Sequence, residues 1–215
     1  MKVSDHYGSG YFSAHIKEAD FGVRAELVKF AGFVKPTDAV LDFGCGSGLI
    51  LSNLKCRDKL GVEINPHARA HCAELGLKAV ATLDEVPDGW ADLVITNHAL
   101  EHVPDPVVQL GKLRAKLKPG AKLVAYVPCE RADSAYDPDD KDRHLYTWTP
   151  LNAGNLMWAA GYKVLESRLY HHRVPPGGRL VERLLGQGGL DWATRVYGRF
   201  YGKIRQVRVI AEAAT

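Results

Sequence analysis

Within VLDFGCGSG, residues 40–48, one aspartate and three glycines stand at regular spacing: Asp42, Gly44, Gly46 and Gly48. Glycines in such a loop let the chain turn tightly and let a ligand lie against bare backbone. Loops of this kind often hold phosphate, but the spacing here departs from both common patterns. A G-x-G-x-x-G fingerprint begun at Gly44 needs a glycine at position 49, which is Leu49, and a phosphate loop needs lysine after its last glycine. Asp42 ahead of the loop would repel a diphosphate and suit a cationic group. Glu63 follows Gly44 by nineteen positions, at the end of a second apolar run, KLGVEIN. A carboxylate there accepts hydrogen bonds from both hydroxyls of a ribose. Bare backbone with an acid at either end suits a nucleoside with a cationic or amine tail. Asp42 and Glu63 also have a plainer reading, as caps of turns or helices.

A second group of reactive side chains lies in NHALEHVPDP, residues 97–106. His98 follows the apolar run WADLVITN, and an imidazole, with an ordinary pKa of about 6.5, is suited to taking a proton near neutral pH. Glu101 and His102 read first as parts of the turn into the next helix, with Asp105 as its cap and Pro106 at its first position. His144, in RHLYTW, either lines an acceptor pocket or anchors its own loop. His171 and His172 are adjacent in an extended run, so only one can face a given side. A metal cluster of His98, His144 and His171 is the alternative use of these histidines. Its ligands would come from separate loops with no local pairing, so no metal ligand is assigned.

Such residues need a frame that gathers them along one edge. AVLDFG, KLGVEIN, KAVATL, WADLVITN and AKLVAYVP read as strands, with LILSNLK, PHARAHCAELG and PDPVVQLGKLRAKLKPG between them as helices. This alternation predicts a doubly wound α/β fold, a mostly parallel sheet with helices on both faces. WADLVITN is nearly all apolar, as a strand buried on both faces must be. Ahead of the alternation, AHIKEADFGVRAELVKFAGFV has helical spacing, and residues 1–35 read as an N-terminal helical cap. Behind it come a polar loop, ERADSAYDPDDKDRHLYTW, and a helix with Thr149 as cap and Pro150 at its start. YKVLESRLYHH is a sixth strand and RQVRVIAEA a last one, with two helical pieces on a glycine-rich link between them. Residues 1–215 read as a single domain, with 173–203 as a basic and aromatic insertion between strands six and seven.

Taken in chain order, VLDFGCGSG, GVEIN, NHALEHVPDP and LKPGAKLVAYVP resemble the class I, Rossmann-like methyltransferases of the small-molecule type, which use S-adenosylmethionine (SAM). The resemblance covers about residues 36–170. It implies a seven-stranded sheet in the order 3-2-1-4-5-7-6 with strand 7 antiparallel. It also implies SAM as cofactor and S-adenosylhomocysteine (SAH) as product. Asp42, Gly44, Cys45, Gly46 and Gly48 would line the methionine end, and Glu63 would hold the ribose, with Ile64 against the adenine. The acid that the family often carries after the third strand is replaced by Thr82, followed by Leu83, and these two are assigned to the adenine. Asn97 would reach the methionine carboxylate or amine, and His98 would point toward the methyl group and acceptor. His98 and His144 are the candidate bases. The N-terminal segment often folds over the cofactor in this family, so Tyr7 and Tyr11 are either shields of the sulfonium or part of a frayed end. The implied reaction is methyl transfer to oxygen or nitrogen of a small acceptor by in-line displacement. A non-catalytic binding module on this fold, or an NAD-dependent oxidoreductase on a similar one, is the alternative.

The totals agree with one globular domain: 215 residues, 46% of them hydrophobic. The N-terminus lacks the apolar core of a signal peptide and no apolar stretch is long enough to cross a bilayer, so a cytoplasmic location is expected. Four cysteines without a CxxC pair suggest neither disulfides nor a metal site; Cys72 and Cys129 read as packing residues. Net charge is +3, yet Arg173–Arg208 holds eight Lys/Arg against two Asp/Glu. That basic stretch, with Trp192, Tyr197, Phe200 and Tyr201, is either a solvated surface or a contact for something anionic. A nucleotide-sugar, a phosphorylated metabolite, a carrier protein or a membrane face would each suit it. Nothing resembles a DNA-reading module, so nucleic acid is not expected.

Overall fold

The computed structural model describes residues 19–130, 135–201 and 205–214. Its elements run α1 (Ala19–Leu27), β1 (Ala39–Phe43), α2 (Leu49–Asn53), β2 (Asp58–Val62), α3 (Pro66–Glu74), β3 (Lys78–Val80) and β4 (Ala91–Asn97). They continue with α4 (Pro106–Lys116), β5 (Leu117–Cys129), α5 (Pro150–Ala159), β6 (Tyr162–Tyr170), α6 (Gly178–Tyr201) and β7 (Arg205–Ala213). Short 3₁₀ turns occupy Leu83–Glu85 and Leu100–His102. The strands form one seven-stranded sheet in the order β3-β2-β1-β4-β5-β7-β6. β1 through β5 pair in parallel, and β7 runs antiparallel to both β5 and β6. This is the doubly wound topology expected from the alternation of elements.

The near-continuous apolar runs follow from burial on both faces. In β1, Val40 joins one core with Leu51, Ile95 and Tyr126, while Leu41 and Phe43 join the other with Leu60, Val94 and Leu123. β5 divides the same way: Val124 and Tyr126 face the first core, Leu123, Ala125 and Val127 the second. Phe30 and Leu27 bring the N-terminal segment onto the first core, and Met157 brings α5 onto the second.

Helix starts follow the local chemistry of the sequence. Asn65 caps α3 by accepting the His67 N–H at 2.9 Å, and Pro66 takes the first position. Thr149 and Asn152 cap α5 reciprocally. Asp105 accepts the Val108 N–H at 3.3 Å, ahead of Pro106. One boundary differs from expectation. The reading that ran α4 through LKPG puts it too long; the helix stops at Lys116 and β5 begins at Leu117, which pairs with Ala91, with Gly120 turning at φ 73° inside it. Pro119 supplies no N–H and disfavours helical backbone at Lys118. The expected N-terminal helix is described only from Ala19. In α6, Gly186 breaks helical geometry at φ 67°, dividing it into two pieces as its glycine-rich middle suggested.

Candidate active site

The carboxyl ends of β1, β2 and β4 open onto a cavity of about 530 Å³. Gly44, Gly46, Glu63, Ile64, Thr82, Leu83 and His98 line it, joined by Asn65, Asp84, His102 and Lys112 among others. The loop that forms its floor is shaped by glycine. Gly44, Gly46 and Gly48 all have positive φ, at 73°, 52° and 76°. A Cβ on Gly44 would lie 2.4 Å from the Ala99 Cβ, so its absence lets the β1 and β4 loops touch. A Cβ on Gly46 would meet nothing within 4 Å, and Gly46 lines the cavity. Its bare backbone therefore faces space that a ligand can fill.

Glu63, just past the end of β2, latches this loop. Its carboxylate accepts the Gly46 N–H at 2.9 Å and the Asn65 N–H at 2.8 Å. A carboxylate has about four acceptor sites, so roughly two remain for the hydroxyls of a ribose. Ile64 is 60% exposed and offers an apolar platform beside it. On the far wall, Thr82 caps a 3₁₀ turn whose Glu85 carboxylate takes back the Thr82 N–H at 3.0 Å. Asp84 also lines the cavity, two residues after the position at which an acid was sought, and pairs with Lys112 at 2.9 Å. The signal lay in ATLDE; the turn shifts the acid along the chain.

Asp42 lies behind the loop, 4% exposed on β1 and not among the cavity-lining residues. Burial, aided by Cys72 and Glu63, pushes its carboxyl up to about 8. Cys45 also sits behind the lining, its sulfur 4.0 Å from that of Cys72 and packed against Gly61. The Cys72 contact, burial and Asp42 together push the Cys45 thiol up, away from reactive thiolate. Gly48 starts α2 rather than touching the cavity.

Asn97 is held elsewhere. Its side chain accepts from Lys29 Nζ at 3.2 Å and donates to Glu26 at 3.3 Å. Lys29 is buried, 2.5 Å from Glu26, and the His172 imidazole lies 3.3 Å from the same carboxylate. Burial works to raise Glu26, yet Lys29 and His172 overcome it and hold the carboxyl well below its usual range. This pair ties the end of α1 to the ends of β4 and β6. Sequence reasoning missed it, because a Glu–Lys pair at i,i+3 reads as a solvated helix face.

His98 has φ 52°, a rare conformation for a residue with a side chain. Its N–H still donates to the Tyr126 carbonyl at 2.9 Å, so the chain bends away immediately after the sheet. The imidazole lines the cavity with Nδ1 3.2 Å from the Glu101 carboxylate. Glu101 has no exposed surface and is packed among His98, His102 and His144. His102 lines the cavity too, beyond its expected role in the turn, and burial, opposed by Glu101, pushes its pKa down. His144 does not line the cavity; its Nδ1 meets Glu130 at 2.5 Å and its ring lies edge-on to His102. His171 takes no part in this cluster among the described residues; burial, aided by Arg205 and Arg199, pushes its pKa down. A metal set of His98, His144 and His171 is therefore not brought together. Tyr7 and Tyr11 lie outside the described residues.

Residues 14–167 match a family model described as a methyltransferase domain. Over 117 residues the chain is 34% identical to the ubiquinone biosynthesis O-methyltransferase of Xanthomonas axonopodis pv. citri, covering 47% of each chain. The matched stretch thus spans about half the length of that relative. Among solved structures, a chain in the complex between the Haloferax volcanii Trm112 methyltransferase activator and a methyltransferase superposes with TM-score 0.70 at 17% identity, covering 100% of this chain and 98% of that one. The Haemonchus contortus phosphoethanolamine N-methyltransferase 2, in complex with S-adenosyl-L-methionine, superposes at 0.69 with 13% identity, covering 100% of this chain and 60% of that one.

Proposed function

The chain belongs to the methyltransferase-domain family, with the class I Rossmann-like fold, and on that premise we propose that it transfers a methyl group from SAM to oxygen or nitrogen of a small acceptor. One observation carries this reading: a cavity of about 530 Å³ at the strand ends has bare Gly46 backbone on its floor and a Glu63 carboxylate with acceptor sites to spare. Bound there, SAM would supply a methyl on cationic sulfur; an acceptor lone pair would bond to that carbon from the opposite side, and the sulfur would leave with the electrons of the broken bond. Glu63 would take the ribose hydroxyls, Ile64 and Leu83 would flank the adenine, and Asp84 would accept from its amino group. Asp42, its carboxyl pushed up to about 8 by burial, would ionise more readily beside a cation and so add attraction when one is bound.

Alignment and exclusion of water supply much of the barrier reduction in such a transfer. Where the acceptor is a hydroxyl, its proton must also leave, and His98 is the group proposed to take it. Of the two candidate bases, His98 lines the cavity and His144 does not. Glu101 beside its Nδ1 would hold the ring with Nε2 toward the acceptor. The relatives' names include both an O- and an N-methyltransferase, which fits leaving the acceptor atom open. The exposed Leu180, Leu184, Trp192 and Phe200 of α6, beside its arginines, make an anionic acceptor, carrier or membrane face the partner we favour for that helix.

Calorimetric titration with SAM, SAH and NADH tests the binding step. SAM and SAH are expected to bind and NADH to give no heat; silence from both SAM and SAH would overturn the reading. Incubation with labelled SAM and a cell lysate, followed by mass analysis, then identifies what gains a methyl. SAH binding with no labelled product would favour a binding module. With an O-acceptor in hand, His98→Asn, which tolerates positive φ, is expected to lower kcat by about 10²–10⁴-fold. An amine presented in its neutral form should lose far less. Equal small losses on both would remove His98 from the role of base.

A further inference from the structure

Among the described residues, Glu101 is a carboxyl group whose burial the fold does not account for. It has no exposed surface, and neither carboxylate oxygen has a hydrogen-bond partner among the described residues. A buried carboxylate in that position needs a compensating cation or donor. What surrounds it is imidazole. His98 Nδ1 lies 3.2 Å from Oε1 and His144 Nε2 lies 4.0 Å from it. One ligand atom each from Glu101, His102 and His144 fall within 4.8 Å of one another. The 3₁₀ turn after β4 supplies the first two as neighbours, and the β5–α5 loop is tied to that turn by the Leu145 N–H on the Glu101 carbonyl at 2.8 Å.

The second observation is the orientation of His144. Its Nδ1 is 2.5 Å from the Glu130 carboxylate. A carboxylate there favours the proton on Nδ1, which leaves Nε2, 4.0 Å from Glu101 Oε1, as the nitrogen with a free lone pair. Histidines that bind metal ions are held in this way, with the second nitrogen donating to a carboxylate. A tetrahedral ion with bonds of about 2.1 Å spaces its ligands roughly 3.4 Å apart, so the donors would draw in by no more than about 1.4 Å.

We propose that Glu101, His102 and His144 form a divalent transition-metal site at the acceptor end of the crevice, with an open coordination position beside His98. Two nitrogens and one carboxylate oxygen suit ions of the zinc, cobalt, iron or manganese class better than magnesium or calcium, which prefer all-oxygen sets. Three protein ligands with one place left open is the arrangement of an ion that takes substrate. His98 and His102 both line the cavity, so that open place faces the space where an acceptor hydroxyl would lie. The ion would bind the acceptor oxygen and acidify its hydroxyl, and the proton released would pass to His98. His144 then serves as a ligand, not as a base, and Glu130 as its positioning residue. This role in catalysis rests on the methyltransferase reading; the ion site itself does not.

The test uses the untagged full chain, stripped with a chelator and titrated with Co²⁺ alone while visible absorption and heat are followed. One equivalent is expected to bind with the ligand-field bands of a low-coordinate nitrogen–oxygen site, and Zn²⁺ should displace it. His144→Ala and Glu101→Gln should each weaken binding by at least 100-fold, and Glu130→Gln by about 10–100-fold. Thermal melting reports whether each variant is folded; His144→Ala changes only a loop side chain and decides the matter if Glu101→Gln does not fold. No saturable Co²⁺ binding, or binding unchanged in folded His144→Ala, overturns the proposal and leaves a histidine–carboxylate ion pair only. SAH titration of the same samples keeps the two readings apart. SAH binding without Co²⁺ binding removes the metal site alone, whereas Co²⁺ binding without SAH binding removes the methyltransferase reading and retains the site.

Discussion

At His98 the backbone holds a left-handed turn that costs on the order of 1 kcal/mol or more for a residue with a side chain. The return is positional: the turn drops Ala99 against Gly44 and leaves the imidazole between the cavity and Glu101. Asp42 shows a different residue-scale tension, a carboxyl buried without exposure to solvent-borne countercharge. Its pKa rises from 3.8 to about 8 on folding, so between those values the unfolded chain has released a proton that the folded chain keeps. Stability from this group is therefore full below about pH 4 and is lost as pH rises toward about 8. Asp42→Asn is expected to flatten that decline. Urea unfolding of the ligand-free protein at pH 5 and pH 8 should show the wild type losing several kcal/mol relative to the variant, to order of magnitude. Parallel profiles for the two proteins would mean that Asp42 is ionised throughout. The same variant should bind SAM at least 10-fold more weakly at pH 8, because it cannot acquire charge.

Among the elements, α6 is packed through small residues, Gly198 above all. A Cβ on Gly198 would lie 2.9–3.1 Å from backbone atoms of residues 171–173, so the helix and the segment after β6 touch backbone to backbone. Gly198→Val must force them apart, and overpacking of that kind costs about 1–3 kcal/mol. A lowered urea midpoint with an unchanged slope would confirm it; an unchanged midpoint would show that α6 can slide without cost. Because His172 reaches Glu26 from this segment, the variant should also loosen the end of α1. Hydrogen exchange over residues 21–34 is the direct readout, with faster exchange expected.

For the molecule as a whole, the crevice joins loops from β1, β2, β3 and β4, so a ligand there couples to global unfolding. SAH at about 100 times its Kd adds roughly 2.7 kcal/mol, and a domain of this size responds by about 2–4 °C per kcal/mol. A rise in Tm of roughly 5–10 °C is the expected result by calorimetry or dye binding. A rise that persists in Glu63→Ala would show that the ligand sits somewhere other than the strand ends. The exposed basic and aromatic face of α6 lies on the same molecule but outside the cavity lining, so its variants should leave this shift unchanged.

The fold was legible because its determinants are local and repeated. Apolar runs of strand length alternate with helical spacing, Pro66, Pro106 and Pro150 mark helix starts, and the G-x-G-x-G spacing forces the turn after β1 whatever surrounds it. Glu63, Ile64 and Leu83 reach the cavity because each lies within three residues of a strand end, where the parallel sheet collects its loops. Tertiary packing alone decided the rest. It enclosed Asp42, gave Asn97 to the buried Lys29 and its partner Glu26, brought Asp84 to the cavity wall beside Thr82 and Leu83, and set Glu101 and His102 against His144 from a loop more than forty residues away. Burial and long-range pairing depend on which surfaces meet, and one residue's neighbours along the chain carry no record of that.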